Sequence, residues 1–210
     1  MYSKNSMDEQ KSNRSFIEQA RRVQIIEATI DVLAKHGYVN TSFAKIAKHA
    51  GISASLISYH FKNKEELTME VYQTIDSTRV ANMLASVTGH KTAAEKLRSL
   101  IEADLTYMGT RPKLFKALVE VLFSARDAKG FLELMDNTEQ PAISMVEEML
   151  QLGQKNGEFG EFDTHATALI IDGARDQFLA QLSMQSDDNL EVFSKTLTAL
   201  IFSYITKGEK

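Results

Sequence analysis

The chain contains no cysteine, two prolines and ten glycines in 210 residues. Without cysteine there is no disulfide framework and no thiolate metal site, a composition suited to a reducing compartment. So few chain breakers among good helix formers point to an all-α protein, and no alternating strand pattern opposes that reading. Long apolar runs are missing as well. No stretch reaches membrane-spanning length, and the polar opening MYSKNSMDEQKSNRS lacks the apolar segment of a signal peptide. The expectation is a cytoplasmic helical protein with no membrane partner. Catalytic signatures are equally scarce. His36, His49, His90 and His165 show no paired ligand spacing, and there is neither an HExxH motif nor a glycine-rich phosphate loop. No serine or threonine belongs to a recognisable catalytic motif. We therefore expect no enzyme, no metal and no cofactor.

What is present is concentrated between Thr41 and Leu67, in TSFAKIAKHAGISASLISYHFKNKEEL. Thr41 or Ser42 supplies an N-cap oxygen, and Phe43, Ile46, Ala47 and Ala50 follow at helical spacing. Gly51 takes the left-handed conformation that closes one helix and turns the chain. Ser53 then caps a second helix whose buried side is Ile57 with Phe61. The pattern is a helix-turn-helix, which lays its second helix in the DNA major groove while the first crosses the backbone.

The charge distribution agrees. Overall the chain carries −4, yet residues 1–64 hold ten Lys/Arg against five acids, a net +5 that leaves −9 for residues 65–210. Phosphate attraction is local, so a basic head on an acidic body engages DNA and keeps the body off the duplex.

The rest of the chain reads as a compact bundle joined by short loops. Residues 1–14 are polar and expected to form a disordered tail. Ser15-Phe16-Ile17-Glu18 is a capping box, opening a helix to Gly37 with Val23, Ile26, Ile30 and Leu33 as its inner stripe. A longer helix runs from Lys64 to about Ala85, with Leu67, Val71, Ile75 and Thr78 inward; it is the natural mechanical link between the motif and the remainder. Further helices are expected at about 92–109, 112–126, 138–156, 163–184 and 188–206, starting at Pro112, at Thr138 with Pro141, and at the cap Asp163, with Gly157 as a stop. That makes about nine helices: an N-terminal helix-turn-helix domain over 15–67 joined to a helical bundle over 68–210.

Residues 21–67 resemble the DNA-binding domain of the TetR family of transcriptional regulators. The matching positions are Arg22, Ile25-Ile26-x-Ala28, Gly37-Tyr38, Thr41-Ser42, Ile46-Ala47, Ala50-Gly51-Ile52-Ser53, Tyr59-His60-Phe61, Lys64 and Leu67. The resemblance implies a ligand-responsive repressor: a homodimer on palindromic double-stranded operator DNA, paired through its last two long helices. It also implies a pocket in each C-terminal domain, whose small-molecule effector shifts the linking helix and releases DNA. The chain departs from the family at Ser55, usually glycine, at Leu56, usually small and polar, and at Ser58, usually tyrosine. Base-by-base readout therefore does not carry over at these three positions.

For DNA contact the candidates are Thr41, Ser42, Ser53, Ala54, Ser55, Ser58, Tyr59, His60 and Lys64. Lys64 and the hydroxyl and imidazole groups suit phosphate oxygens, while residues 53–55 occupy the turn that meets base edges. Thr41 and Ser42 serve equally well as simple helix caps. For the effector pocket the candidates are Asp104, Met108, Phe115, Phe123, Met145, Met149 and Arg175, within a middle region rich in adaptable Met and Phe, although ordinary core packing accounts for most of them singly. Asp104 lies on the apolar stripe of Leu97, Ile101, Leu105 and Met108. It either meets water at the boundary, pairs with Arg126 or Arg175, or faces a cationic ligand, and we rank these in that order. For the dimer, Ala166, Gly173 and Ala180 recur every seven residues as a small-residue strip, and Phe193, Leu197, Leu200, Ile201 and Tyr204 give the last helix an apolar face. Both stripes could instead pack within one subunit. An effector-independent structural or division-control protein, and a helical enzyme or adaptor with a vestigial motif, are the competing functions.

Overall fold

The protein is described from a computed structural model, covering the backbone of residues 3–122, 124, 141–184 and 189–206, with side chains from Phe16 onward. Among the described residues there are nine α-helices and no strand. These are α1 (Ser3–His36), α2 (Phe43–Ala50), α3 (Ala54–His60), α4 (Lys64–Ser86), α5 (Ala93–Gly109), α6 (Pro112–Leu122), α7 (Pro141–Lys155), α8 (Thr164–Met184) and α9 (Leu190–Ile205). The chain divides into two compact units, and the division falls inside α4, between Gln73 and Thr74.

In the first unit α1 begins twelve residues before the expected start at Ser15 and takes in the stretch read as a disordered tail. No glycine or proline precedes Gly37, so nothing in the backbone halts the helix there. The inner face of α1 also differs from the expected stripe. Val23 is half exposed, and the buried residues are Ile25, Ile26, Ala28, Thr29, Val32 and Leu33. The buried stripe is the face that packs on α2, and Ile46, Ile57 and Phe61 are buried in this unit with Leu67 and Val71 of α4. Ser42 caps α2 by accepting from Lys45 N, and Gly51 closes it at φ 67. An L-side chain at Gly51 would be strained whatever the room around it.

In the second unit α5 is capped by a reciprocal Thr92–Glu95 box. Its first free amides, Ala93 N and Ala94 N, also donate to the two oxygens of Glu158 at 3.0 Å each. These bonds hold the Glu158 carboxyl below its ordinary range. The turn after α7 is possible because Gly153 has no side chain: a Cβ there would lie 2.0 Å from the Phe159 ring. On α4, Ile75 is buried as expected, but Thr78 is exposed and Arg79 lies inside instead, followed by Met83. No helix among the described residues is long and apolar enough to cross a membrane.

Candidate nucleic-acid interface and effector cavity

The recognition segment is a seven-residue helix held by its ends. Ser53 Oγ accepts from Leu56 N at 3.2 Å, and the Phe61 amide donates to the Ile57 carbonyl. Ile57 and Phe61 are buried, so the other side faces out: Ser53, Ala54, Ser55, Ser58 and Tyr59 are exposed and His60 is half-buried. The hydroxyls are already engaged locally. Ser53 and Ser55 lie 2.9 Å apart, and Ser58 Oγ donates to the Ala54 carbonyl. The Tyr59 and His60 rings meet edge-on at 5.0 Å.

Thr41 leaves the candidate set. It is buried, and its hydroxyl donates to the Gly37 carbonyl at 2.8 Å, closing the turn after α1. A side chain turned inward to satisfy a helix-end carbonyl cannot reach a phosphate. Ser42, which is exposed, does the capping. Lys64 Nζ donates to the Tyr38 carbonyl at 3.2 Å and sits 3.9 Å over the Tyr38 ring. An ammonium group has three N–H donors, so this contact orders Lys64 without exhausting it.

Sequence reasoning noted Arg22 only as a matching position. It donates to the His60 carbonyl at 2.8 Å, pairs with both Glu70 oxygens and lies 4.4 Å over the Phe61 ring.

The second unit holds a cavity lined by apolar residues of α5, α7, α8 and α9 with Met83 of α4, and by Asp104, Asp172 and Arg175. Two of the expected pocket residues, Asp104 and Arg175, line it. Met108 and Phe115 do not: both are buried in the core elsewhere. Met145 and Met149 are half-buried against Met83, Leu100 and Ala142, one layer behind the wall. Phe123 lies outside the described residues, as does Arg126. The cavity offers about 20 Å³ to the centre of a water molecule, which is room for about one water.

Asp104 is not at a wet boundary, contrary to the first-ranked expectation. It is 4% exposed. Arg79 reaches it with Nε at 2.7 Å and Nη2 at 3.2 Å, and Arg175 with Nη1 at 2.7 Å. Arg175 also meets Asp172 at 2.5 Å and Asp176 at 2.7 Å, while Arg79 meets Asp76 at 3.4 Å. Burial pushes the Asp104 carboxyl up, but the two guanidinium groups outweigh it and its pKa is lowered. Asp76 and Asp172 go the other way, because burial prevails over their arginine neighbours. Burial likewise opposes the charge on Arg175, and its three aspartates overcome it and raise its pKa. Arg79 was missed, though a signal existed: it stands four residues after Ile75 on the inward stripe of α4, where a charge needs a partner.

The residues expected at a dimer interface separate into two sets. Leu197 and Ile201 are buried inside the subunit, Leu197 on the cavity wall, and Phe193 stacks on Phe178 at 3.9 Å. These three face inward because α9 must close the bundle over α5 and α8. Ala166, Gly173, Leu200 and Tyr204 are exposed and Ala180 is half-buried. Leu169 and Ile170, not expected, are exposed beside them on α8, at 47% and 62%.

Residues 25–71 match the family model for bacterial regulatory proteins, tetR family, and residues 86–204 match that for the QacR-like protein, C-terminal region. The fatty acid metabolism regulator protein of Bacillus subtilis is 25% identical over 185 residues, 87% of this chain and 94% of that one. Among solved structures, FadR from Bacillus subtilis in complex with stearoyl-CoA superposes with a TM-score of 0.73 at 22% identity, covering 90% of this chain and 99% of its own. A transcriptional regulator from Saccharomonospora viridis in complex with choline gives a TM-score of 0.78 at 20% identity, covering 90% and 99%. The likeness to these two structures concerns the fold; their ligands differ, and the fold does not choose between them.

Proposed function

Because the chain belongs to the TetR family of bacterial regulatory proteins, we propose that it is a homodimeric repressor that leaves palindromic operator DNA when a small molecule occupies the cavity of its second unit. The first unit is the DNA-binding domain. Ser53, Ala54 and Ser55 meet base edges, and Ser42, Ser58, Tyr59, His60 and Lys64 hold phosphates. Exposure of Ser53, Ala54, Ser55, Ser58 and Tyr59 around a helix fixed by Ile57 and Phe61 supports that assignment. Such a protein works in the cytoplasm, where the operator lies.

The observation that carries the effector reading is the buried Arg79–Asp104–Arg175 network, of which Asp104 and Arg175 line the cavity. Effector pockets run to roughly 300–1,000 Å³, so in this conformation there is no room for a ligand. Binding requires the walls to part. A ligand that fits only the opened form shifts the population toward it by that difference in affinity. Asp104 and Asp172 are on the wall, and both reach Arg79 of α4. Parting the wall therefore pulls on the helix whose first residues belong to the DNA-binding unit.

Leu100, Ile101, Leu105, Val146, Ile171 and Leu197 make the wall suited to a hydrocarbon chain. With a fatty acid metabolism regulator among the relatives and stearoyl-CoA bound in a structure of similar fold, long-chain acyl-CoA thioesters are the first effectors to try. The dimer forms through the exposed faces of α8 and α9, with Leu169, Ile170, Gly173, Leu200 and Tyr204.

The test begins with duplexes selected from a random library by the protein. Fluorescence anisotropy then follows a titration with acyl-CoAs of graded chain length, with choline and a short-chain acid alongside. We expect release by the long-chain thioesters. If every compound that stabilises the protein leaves the duplex bound, the induction reading fails.

A further inference from the structure

We infer that Arg22 and Gln24 of α1 are positioning residues for sequence readout, each capping the last residue of one motif helix. Gln24 Nε2 donates to the Ala50 carbonyl at 3.1 Å, at the end of α2. Arg22 Nη1 donates to the His60 carbonyl at 2.8 Å, at the end of α3. The last carbonyls of a helix have no partner within it, and a cation there also complements the helix dipole.

The second of these contacts matters more for DNA. A seven-residue helix is too short to hold itself by its own hydrogen bonds. Its buried anchors are Ile57 and Phe61, one helical turn apart along one side. Two anchors in a line leave a rotation about that line, and such a rotation would swing Ser53, Ala54 and Ser55 across the base edges. Arg22 removes it. Its guanidinium lies over the Phe61 ring, holds the His60 carbonyl and is itself fixed by both oxygens of Glu70 on α4. Glu70 also neutralises it, so Arg22 contributes geometry and little net field toward phosphates. Lysine could not replace it, since one ammonium group cannot span the His60 carbonyl and the Glu70 carboxylate in a planar fork.

The inference rests on the DNA-binding role, and the experiment separates the two. The full-length protein is titrated against a duplex selected by the wild type and against a scrambled duplex of the same composition, over a range of salt. Wild-type protein that cannot distinguish the two duplexes would remove the DNA-binding reading itself. For Arg22→Met the ratio of selected to scrambled affinity should fall roughly tenfold, the scale of a lost hydrogen bond to a charged group, while the salt slope on scrambled DNA stays unchanged. Arg22→Lys should lose as much discrimination as Arg22→Met, and Gln24→Leu should lose less in the same sense. A slope lowered by about one, with recovery in Arg22→Lys, would make Arg22 a phosphate contact and overturn the inference. So would full discrimination in a folded Arg22→Met. Should Arg22→Met fail to fold by circular dichroism, Glu70→Gln decides. Lost discrimination at an unlowered slope supports the inference, and wild-type discrimination overturns it.

Discussion

Replacing Asp104 by asparagine keeps the shape of the side chain and removes its charge from a buried network. Asp104 accepts three guanidinium N–H bonds, at 2.7 and 3.2 Å from Arg79 and 2.7 Å from Arg175. An amide offers one oxygen, and its NH₂ group would point donors at donors. Breaking a buried ion pair by removing one partner costs about 3–5 kcal/mol. Asp76, Asp172 and Asp176 remain beside the two arginines, so the loss should sit near the lower end, about 3 kcal/mol. For a chain of this length that is a fall in Tm of about 6–12 °C. Thermal unfolding at neutral pH, followed by far-UV circular dichroism, measures it. A second variant isolates the cause. Arg79→Met, Asp104→Leu and Arg175→Met, combined with Asp76→Asn and Asp172→Asn so that no buried carboxylate is left without its arginine, exchange the network for neutral groups of similar volume and should melt near the wild type, since replacing a buried ionic network whole is often neutral or stabilising. The same fivefold variant should bind operator but no longer respond to effector. If Asp104→Asn melts within about 2 °C of the wild type, the network is not holding α4 to α5 and α8 and the coupling argument collapses.

The pH dependence has an opposite sign at Asp172. Its pKa is raised in the folded state, so the native protein binds a proton more readily than the unfolded chain, and this contribution to stability is lost as pH rises from about 4 through the folded pKa. Asp104, lowered, contributes stability that is lost only as pH falls below its unfolded value. Asp172→Asn should therefore flatten the decline in Tm above pH 4, and an unchanged profile would discharge Asp172 from that role. Lys64→Ala should weaken binding to all duplexes alike and lower the salt slope by about one; altered sequence preference at an unchanged slope would make Lys64 a base reader. A Cβ at Gly173 meets nothing within 4 Å in its own subunit, so Gly173→Leu should fold normally, yet disturb a dimer by about 1–3 kcal/mol. Sedimentation should show more monomer and operator affinity should drop; a fully dimeric mutant would place the interface elsewhere.

Much of the helical order was legible because local chemistry marks it. Ser42, Gly51, Ser53, Asp163 and Pro112 act within a few residues of themselves, so short-range pattern suffices to place the elements they open or close. The start of α1 was not legible, since a polar run without breakers reads the same as tail or as helix. The solvent-facing side of the motif was readable except at Thr41, where two adjacent hydroxyls compete for one cap and only the backbone path of the turn sends Thr41 inward. The cavity was readable at Asp104, a charge on an apolar stripe, and at Arg175, a candidate partner for that charge. Met108, Phe115, Met145 and Met149 do not line it, in keeping with ordinary core packing, and sequence could not choose because an apolar side chain looks the same in a wall as in the layer behind it.

Sequence alone determined the helical class, the motif and its spacing, the basic head and acidic body, and the presence of charges that had to find partners inside. Those follow from propensities, caps and counts, which are properties of neighbouring residues. The tertiary structure alone decided that Arg79 is one of those partners, 25 residues from Asp104, and that Arg175 is the other, 71 residues away. It also decided that Leu197 and Ile201 belong to the subunit core while Leu200 and Tyr204 do not. Which face of a helix is covered depends on the angle at which distant helices cross it, and that angle is set by packing across the whole bundle.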